Sequence, residues 1–162
     1  MVKSGSEWGK VELNMFRGIN FVNMDTKGRI TMPARYRAEV LDRLVVTIDT
    51  QDRCLLLYPF LFWEEIERKI DSLPSFNQTT RRIQRLLIGH ATELDMDGNG
   101  RILLPPLLRE YAGLKKDIML IGQGKKFELW DKATWTNNRD LWLDQGLDEI
   151  NSLPQELQLL SL

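Results

Sequence analysis

Hydrophobic and polar positions along the chain switch between a strand period and a helix period. Alternation over Ile19–Met24 predicts a strand, and Arg29–Met32 predicts its return strand. Between them stands Asp25-Thr26-Lys27-Gly28, which predicts a tight reversal: Asp can bond its own backbone, and Gly accepts a positive φ. Pro33 then starts a short helix reaching about Leu41, a position where its missing N–H costs nothing. Val45–Ile48 and Cys54–Tyr58 predict a second hairpin around Thr50-Gln51-Asp52-Arg53.

The same succession returns further along. Asp25 aligns with Asp97, 72 positions on, and the offset also matches Gly28 to Gly100, Arg29 to Arg101, Ile30 to Ile102, Pro33 to Pro105 and Arg37 to Arg109. It continues to Leu57/Leu129, Tyr58/Trp130 and Trp63/Trp135. Polar punctuation and apolar core positions recur in one register, so the chain carries one small unit twice. In the second copy Gly113 ends the helix. Asp117–Ile121, a turn over Gly122–Lys126, and Phe127–Trp130 form its second hairpin.

Between the copies the period is helical. Trp63, Ile66, Ile70 and Leu73 share a face until Pro74 breaks the helix. A second helix is predicted over about Asn77 to His90, with Ile83, Leu86 and Leu87 on its apolar face. After the second copy Ala133–Leu143 is again helical, and Gln145–Leu162, with Leu153, Leu157 and Leu160, reads as a frayed helix or disordered tail. Met1–Asn14 is polar and unpatterned and reads as a disordered extension or cloning remnant, with Met15 as the natural start. The expected organisation is a leader at 1–14, a first unit at 15–63, connecting helices at 64–92, a second unit at 93–136 and a tail at 137–162. A unit of about 45 residues is near the size below which one core rarely stands alone. The copies are therefore expected to interlock, within a chain or between chains, and to oligomerise.

Composition narrows the function. With 43% hydrophobic and 28% charged residues, this is ordinary globular content. No apolar run reaches the roughly 18 residues of a membrane span, and no signal peptide is visible. The single Cys54 rules out an intrachain disulfide and fits a reducing cytoplasm; with the single His90 it also rules out the usual Cys/His zinc site. The net charge of −1 argues against nucleic acid as a partner unless the charge is uneven. It is uneven. Met15–Val40 holds five basic residues against two acidic ones, whereas Leu87–Ala112 holds two against four.

Several stretches together carry a resemblance: Met15-Phe16-Arg17-Gly18, Asp25-Thr26-Lys27-Gly28-Arg29, Cys54-Leu55-Leu56-Leu57-Tyr58-Pro59, Arg81–Ala91, and Lys126-Phe127-Glu128-Leu129-Trp130. Over about Met15 to Asp140 the chain resembles the MraZ family of bacterial regulators at the head of the division and cell-wall gene cluster. The resemblance implies an α+β fold of tandem swapped-hairpin, SpoVT/AbrB-like β-barrel units with short helices and connecting helices. It further implies a ring-shaped homo-oligomer, repeated boxes of double-stranded promoter DNA as target, and repression of its own cluster in the cytoplasm, at the nucleoid. No enzyme activity, cofactor, metal, membrane or small-molecule substrate belongs to this reading.

The candidate DNA-binding residues are Arg29, Lys27, Asp25, Arg17, Arg101 and Asp97. Arginine offers a two-pronged donor to guanine O6/N7 or to phosphate, and a β-ribbon can enter the major groove. Asp25 would hold the turn and orient Arg29. The bland alternative is a surface turn with an intraturn ion pair. Asn99 stands where the first copy has Lys27, so the first copy is expected to lead. The spacing Asp95-x-Asp97-x-Asn99-Gly100 mimics the start of a calcium loop, but the twelfth position, which needs a bidentate Glu, is Pro106. A hydrolase built on Asp95 and Asp97 lacks ligands, a base and a phosphate loop. Arg81, Arg82 and Arg85 read as a solvated helix face or as partners of Glu64, Glu65 or Glu67. His90 reads as a packing or capping residue, and Trp63, Trp130, Trp135 and Trp142 as core. Cys54 has no evident partner for nucleophilic chemistry. The competing function is a protein-interaction scaffold or antitoxin-like module, which the acidic second copy and Leu-rich tail would suit.

Overall fold

The computed structural model describes residues 15–40, 43–146 and 154–159. The leader Met1–Asn14 and the tail residues Leu153 and Leu160 lie outside the described residues. The chain divides into two compact units, the second beginning at Ala133.

The first unit contains both repeats. The first repeat runs β1 (Phe16–Asn23), β2 (Arg29–Thr31), α1 (Ala34–Val40), β3 (Arg43–Ile48) and β4 (Leu55–Pro59). The connection is α2 (Phe60–Asp71) and α3 (Gln78–Ile83), with one π-helical turn over Gln84–Ile88. The second repeat follows as β5 (Thr92–Asp95), β6 (Arg101–Leu103), α4 (Pro106–Tyr111), β7 (Asp117–Gly124) and β8 (Lys126–Asp131). α3 starts where Asn77 accepts from the Thr79 and Thr80 amides, satisfying two of the free donors of the first turn. α5 (Lys132–Gln145) begins at the last residue of the first unit and otherwise lies in the second; its Trp135 and Trp142 rings meet edge-on at 5.8 Å, and the short α6 (Gln155–Gln158) follows.

Six strands form one antiparallel sheet in the order β1-β7-β8-β4-β3-β5, and β2 pairs with β6 in a separate two-stranded ribbon. The first strand of each repeat thus pairs with the third strand of the other: Phe16–Asn23 with Gly124–Asp117, and Arg43–Val46 with Asp95–Thr92. The fold is α+β, as expected. The sheet is not closed into a barrel by strand pairing, because β1 and β5 are its two edges.

Pairing across the repeats corrects the first expected hairpin. Ile19–Met24 and Arg29–Met32 do not ladder with one another; the Asp25–Gly28 reversal joins two different sheets. The cause is local. Asp25 Oδ1 captures the Lys27 and Arg29 amides, and beyond the turn β2 finds its ladder partner in the other repeat. The second expected hairpin is also tighter than its glycines suggested. β7 runs through Gly122 to Gly124, and the chain reverses at Gly124, where φ is +76°. Gly122 is a strand residue because the Arg17 backbone approaches where a Cβ would stand, 2.5 Å from the Arg17 nitrogen. The uniform offset of 72 therefore breaks: β7 sits 74 positions after β3, and the shorter reversal restores 72 at β8.

One face of the sheet carries the main core. Ile30 and Ile102 from the ribbon, Tyr36, Val40 and Leu108 from α1 and α4, and Leu44, Leu57, Leu120, Phe127 and Leu129 from the sheet are all buried there. On the other face Val45, Leu56 and Tyr58 pack on Trp63 of α2. The expectation of core tryptophans holds for Trp63 and Trp130, at 4% and 1% exposure. It fails for Trp142, 45% exposed on a helix with no buried residue. Arg81, Arg82 and Arg85 are exposed, while Glu65 binds Lys69 and Glu67 accepts from Trp63 Nε1. The solvated-face reading of those arginines stands. His90 Nδ1 lies 2.7 Å from the Leu86 carbonyl, a local helix-end contact.

Candidate nucleic-acid interface

Both Asp-x-x-x-Arg turns are built the same way. In the first, Asp25 Oδ1 accepts from the Lys27 and Arg29 amides at 2.9 Å each, and Oδ2 accepts from Arg29 Nε at 2.7 Å. In the second, Asp97 Oδ1 accepts from the Asn99 and Arg101 amides, and Oδ2 accepts from Arg101 Nε at 2.9 Å. Each turn is closed by a backbone bond, Gly28 to Asp25 and Gly100 to Asp97. Gly28 and Gly100 sit at φ of +94° and +77°, where a side chain is strained. The Arg29 amide, above all, holds the Asp25 carboxyl down to about 2. Asp97 is lowered by the same arrangement, led by the Arg101 amide. The bland reading is half right: each turn does contain an Asp–Arg ion pair. The pair, however, uses only Nε. Among the described residues neither Arg29 nor Arg101 has a protein partner at its two terminal nitrogens, so each presents a fixed two-pronged donor, suited to a phosphate or a guanine edge.

The ribbon brings the two turns together. Arg29 faces Leu103 and Thr31 faces Arg101, on either side of Ile30 and Ile102. Because strand side chains alternate, burying the isoleucines turns Arg29, Thr31, Arg101 and Leu103 to the opposite face. Arg29 and Arg101 are diagonal neighbours, a spacing of roughly 7–8 Å. Of the predicted residues, Asp25, Lys27, Arg29, Asp97 and Arg101 therefore gather at one place. Arg17 does not. It stands near the start of β1 opposite Gln123, roughly 20 Å along the strand from the turn.

Other basic residues arrive from the opposite repeat. The Met24 amide donates to the Lys116 carbonyl at 2.8 Å, and an open cleft beside the turn is lined by Met24, Asp25, Thr26 and Lys116. The Arg109 guanidinium lies against Gly28, and that of Arg37 lies against Gly100. Sequence windows could not show this, because the contacts cross between the copies. The charge imbalance survives regrouping in space. Lys27, Arg29, Arg109 and Lys116 meet Asp25 and Asp117 at the first turn, whereas Arg101, Arg37 and Arg43 meet Asp97, Asp95 and Glu93 at the second. Arg43 is itself bound to Glu93 at 2.6 Å.

The acidic pair offered to a hydrolase does not converge: Asp97 is committed to Arg101, and Asp95 lies beside Arg43 in the sheet register. Cys54 is buried against Asp49 and Glu128, and burial first, then those carboxylates, push its thiol far above the usual range. That environment opposes a nucleophilic thiolate. Among the described residues no helix is long and apolar enough to cross a membrane.

Comparison with known proteins places this architecture. The family model for MraZ protein, described as antitoxin-like, matches residues 15–86 and again 87–140. The chain belongs to the MraZ family. A protein of Coxiella burnetii named transcriptional regulator MraZ is 57% identical over 152 residues, covering 91% of this chain and 100% of the relative. Proteins of the same name from Legionella pneumophila and Halorhodospira halophila are each 53% identical over the same shares. The relatives are named as regulators, not as enzymes.

Proposed function

We propose that the chain is a sequence-specific DNA-binding transcriptional regulator whose recognition surface is the β2–β6 ribbon with its two flanking turns. The single observation that carries this reading is the pinning of Arg29 and Arg101 through Nε, which leaves two preoriented forks on one face of a two-stranded ribbon. A ribbon of this kind fits the major groove, and an arginine fork reads guanine O6/N7 or grips phosphate. Arg29 leads, Lys27 adds phosphate contact, Asp25 and Asp97 orient, Arg101 supports, and Arg17 at the far end of β1 contacts flanking backbone.

The names of the relatives support regulation of transcription. The crossed strand pairing supports a SpoVT/AbrB-like swapped-hairpin origin for the two units, with the connecting helices at 64–92 between them. The family resemblance extends the proposal to a homo-oligomeric ring on repeated promoter boxes, repressing its own gene cluster at the nucleoid in the cytoplasm. Near-neutral net charge is compatible with this, because several basic sites in one ring act together by avidity. The test is titration of the purified protein onto its own upstream DNA and onto scrambled DNA, with the solution mass measured in parallel. Tight, salt-sensitive and sequence-selective binding by an oligomer is expected. Salt-independent behaviour with no preference between the two duplexes overturns it and favours the protein-interaction module.

A further inference from the structure

We infer that Arg109 and Arg37, on the helices that follow the two turns, are phosphate-binding residues of the same interface, each serving the turn of the opposite repeat. This rests on the DNA-binding reading above.

The observation is a repeated construction. Arg109 Nε donates to the Leu104 carbonyl at 3.0 Å, and Arg37 Nε donates to the Met32 carbonyl at 2.9 Å. Both side chains are thereby held at their root. Arg109 Cζ lies 2.6 Å from where a Cβ would stand on Gly28, and Arg37 occupies the same place at Gly100. The crossing is fixed by two further backbone bonds, Met32 to the Gly100 carbonyl at 2.8 Å and Leu104 to the Gly28 carbonyl at 2.9 Å. Each glycine turn is thus flanked by two arginines from different repeats: Arg29 and Arg109 at Gly28, Arg101 and Arg37 at Gly100. Among the described residues none of these four has a protein partner at its terminal nitrogens.

A structural arginine that only filled the space over a glycine would satisfy its charge within the protein. These two make one neutral carbonyl contact each and are half-buried, Arg109 at the more basic first turn and Arg37 at the second. The carboxylate of each turn is already committed to the strand arginine, Asp25 to Arg29 and Asp97 to Arg101, so among the described residues the forks of Arg109 and Arg37 are left without an anionic partner. A phosphodiester meets that need: it has acceptor oxygens for two forks, and duplex DNA repeats it along both edges of the groove that a ribbon enters. Arg29 and Arg101 on the ribbon face are placed for base edges. Arg109 and Arg37, set back against the turns, are placed for the backbone.

The experiment compares wild type, Arg109→Gln, Arg109→Lys and Arg29→Ala in anisotropy titrations at several salt concentrations, on the upstream duplex and on a scrambled one. Arg81→Gln serves as a charge-matched control on the solvated helix. Arg109→Gln is expected to weaken binding to both duplexes by a similar factor and to reduce the salt slope by about one for each phosphate no longer held. Arg109→Lys should retain the slope. Thermal unfolding of each variant separates the stability that Arg109 gives through the Leu104 carbonyl from its part in holding DNA. An unchanged salt slope in Arg109→Gln, while wild type binds in a salt-dependent way, overturns this inference alone. Absence of salt-dependent binding by wild type overturns the functional reading beneath it.

Discussion

Ile30 and Ile102 face each other at the centre of the β2–β6 ladder, and each is 1% exposed. Their burial decides which way the neighbouring arginines point, since one residue of slip would turn Arg29 and Arg101 inward. The core thus sets the register of the candidate recognition surface.

Arg29→Ala is expected to cost more DNA affinity than Arg101→Ala. A good bidentate contact is worth about 1–3 kcal/mol, so Arg29→Ala should weaken specific binding on the order of tenfold or more. Arg101 is paired to Asp97 and follows a strand that also carries Glu93 and Asp95, so its loss should cost less. Anisotropy titration of both variants measures this, and equal losses would show that the two turns share the work.

Asp25 gives a pH signature. Its folded value, about 2, lies below the ordinary aspartate value of 3.8, so its contribution to folding is fully present above the ordinary carboxylate range. That contribution is lost as pH falls through the interval toward 2. A carboxyl-detected NMR titration should place the Asp25 midpoint near 2. A midpoint at the ordinary value would mean that the two amide bonds and the Arg29 ion pair do not persist in solution.

Gly28 and Gly98 should separate in a stability assay. Gly28→Ala places a Cβ at φ +94° and into the Arg109 guanidinium, costing about 1–2 kcal/mol from backbone conformation alone. Gly98 has open space around its added Cβ, so Gly98→Ala should stay within about 0.5 kcal/mol of wild type. Urea midpoints read both, and a Gly28→Ala variant as stable as wild type contradicts the crossed packing of Arg109 on Gly28.

A fragment ending before β5 lacks the partners of β1 and β2, both of which lie in the second repeat. Residues 15–86 are therefore expected to be unfolded alone, or folded only by pairing with another copy. Circular dichroism with sedimentation tests this; a folded monomer with native strand content would sink the interlocked architecture.

The duplication, the helices and the two turns were legible because each has a local cause: Asp and Gly at fixed spacing, Pro33 and Pro105 before helices, apolar periods between. Asp25 and Asp97 do bond the backbone of their own turns, as their spacing to Gly suggested. What was not legible is long-range. That Arg29–Thr31 pairs with Arg101–Leu103, and not with Ile19–Met24, depends on which apolar edge each strand buries, which no local pattern records. The place of Gly122 in a strand depends on the approach of Arg17 from the other repeat. Arg37 and Arg109 were visible as matched positions, yet their site is defined only after the copies cross. The Trp142 expectation failed because helical spacing marks a face without saying whether anything covers it.

The ladder through Ile30 and Ile102 also has a consequence in time. Its two strands are made some seventy residues apart, so a ribosome must release the second repeat before the ribbon can close. At no stage of synthesis does the first repeat by itself own the finished two-stranded ribbon. An incomplete chain, however much of its first turn has formed, holds only one strand of the ribbon.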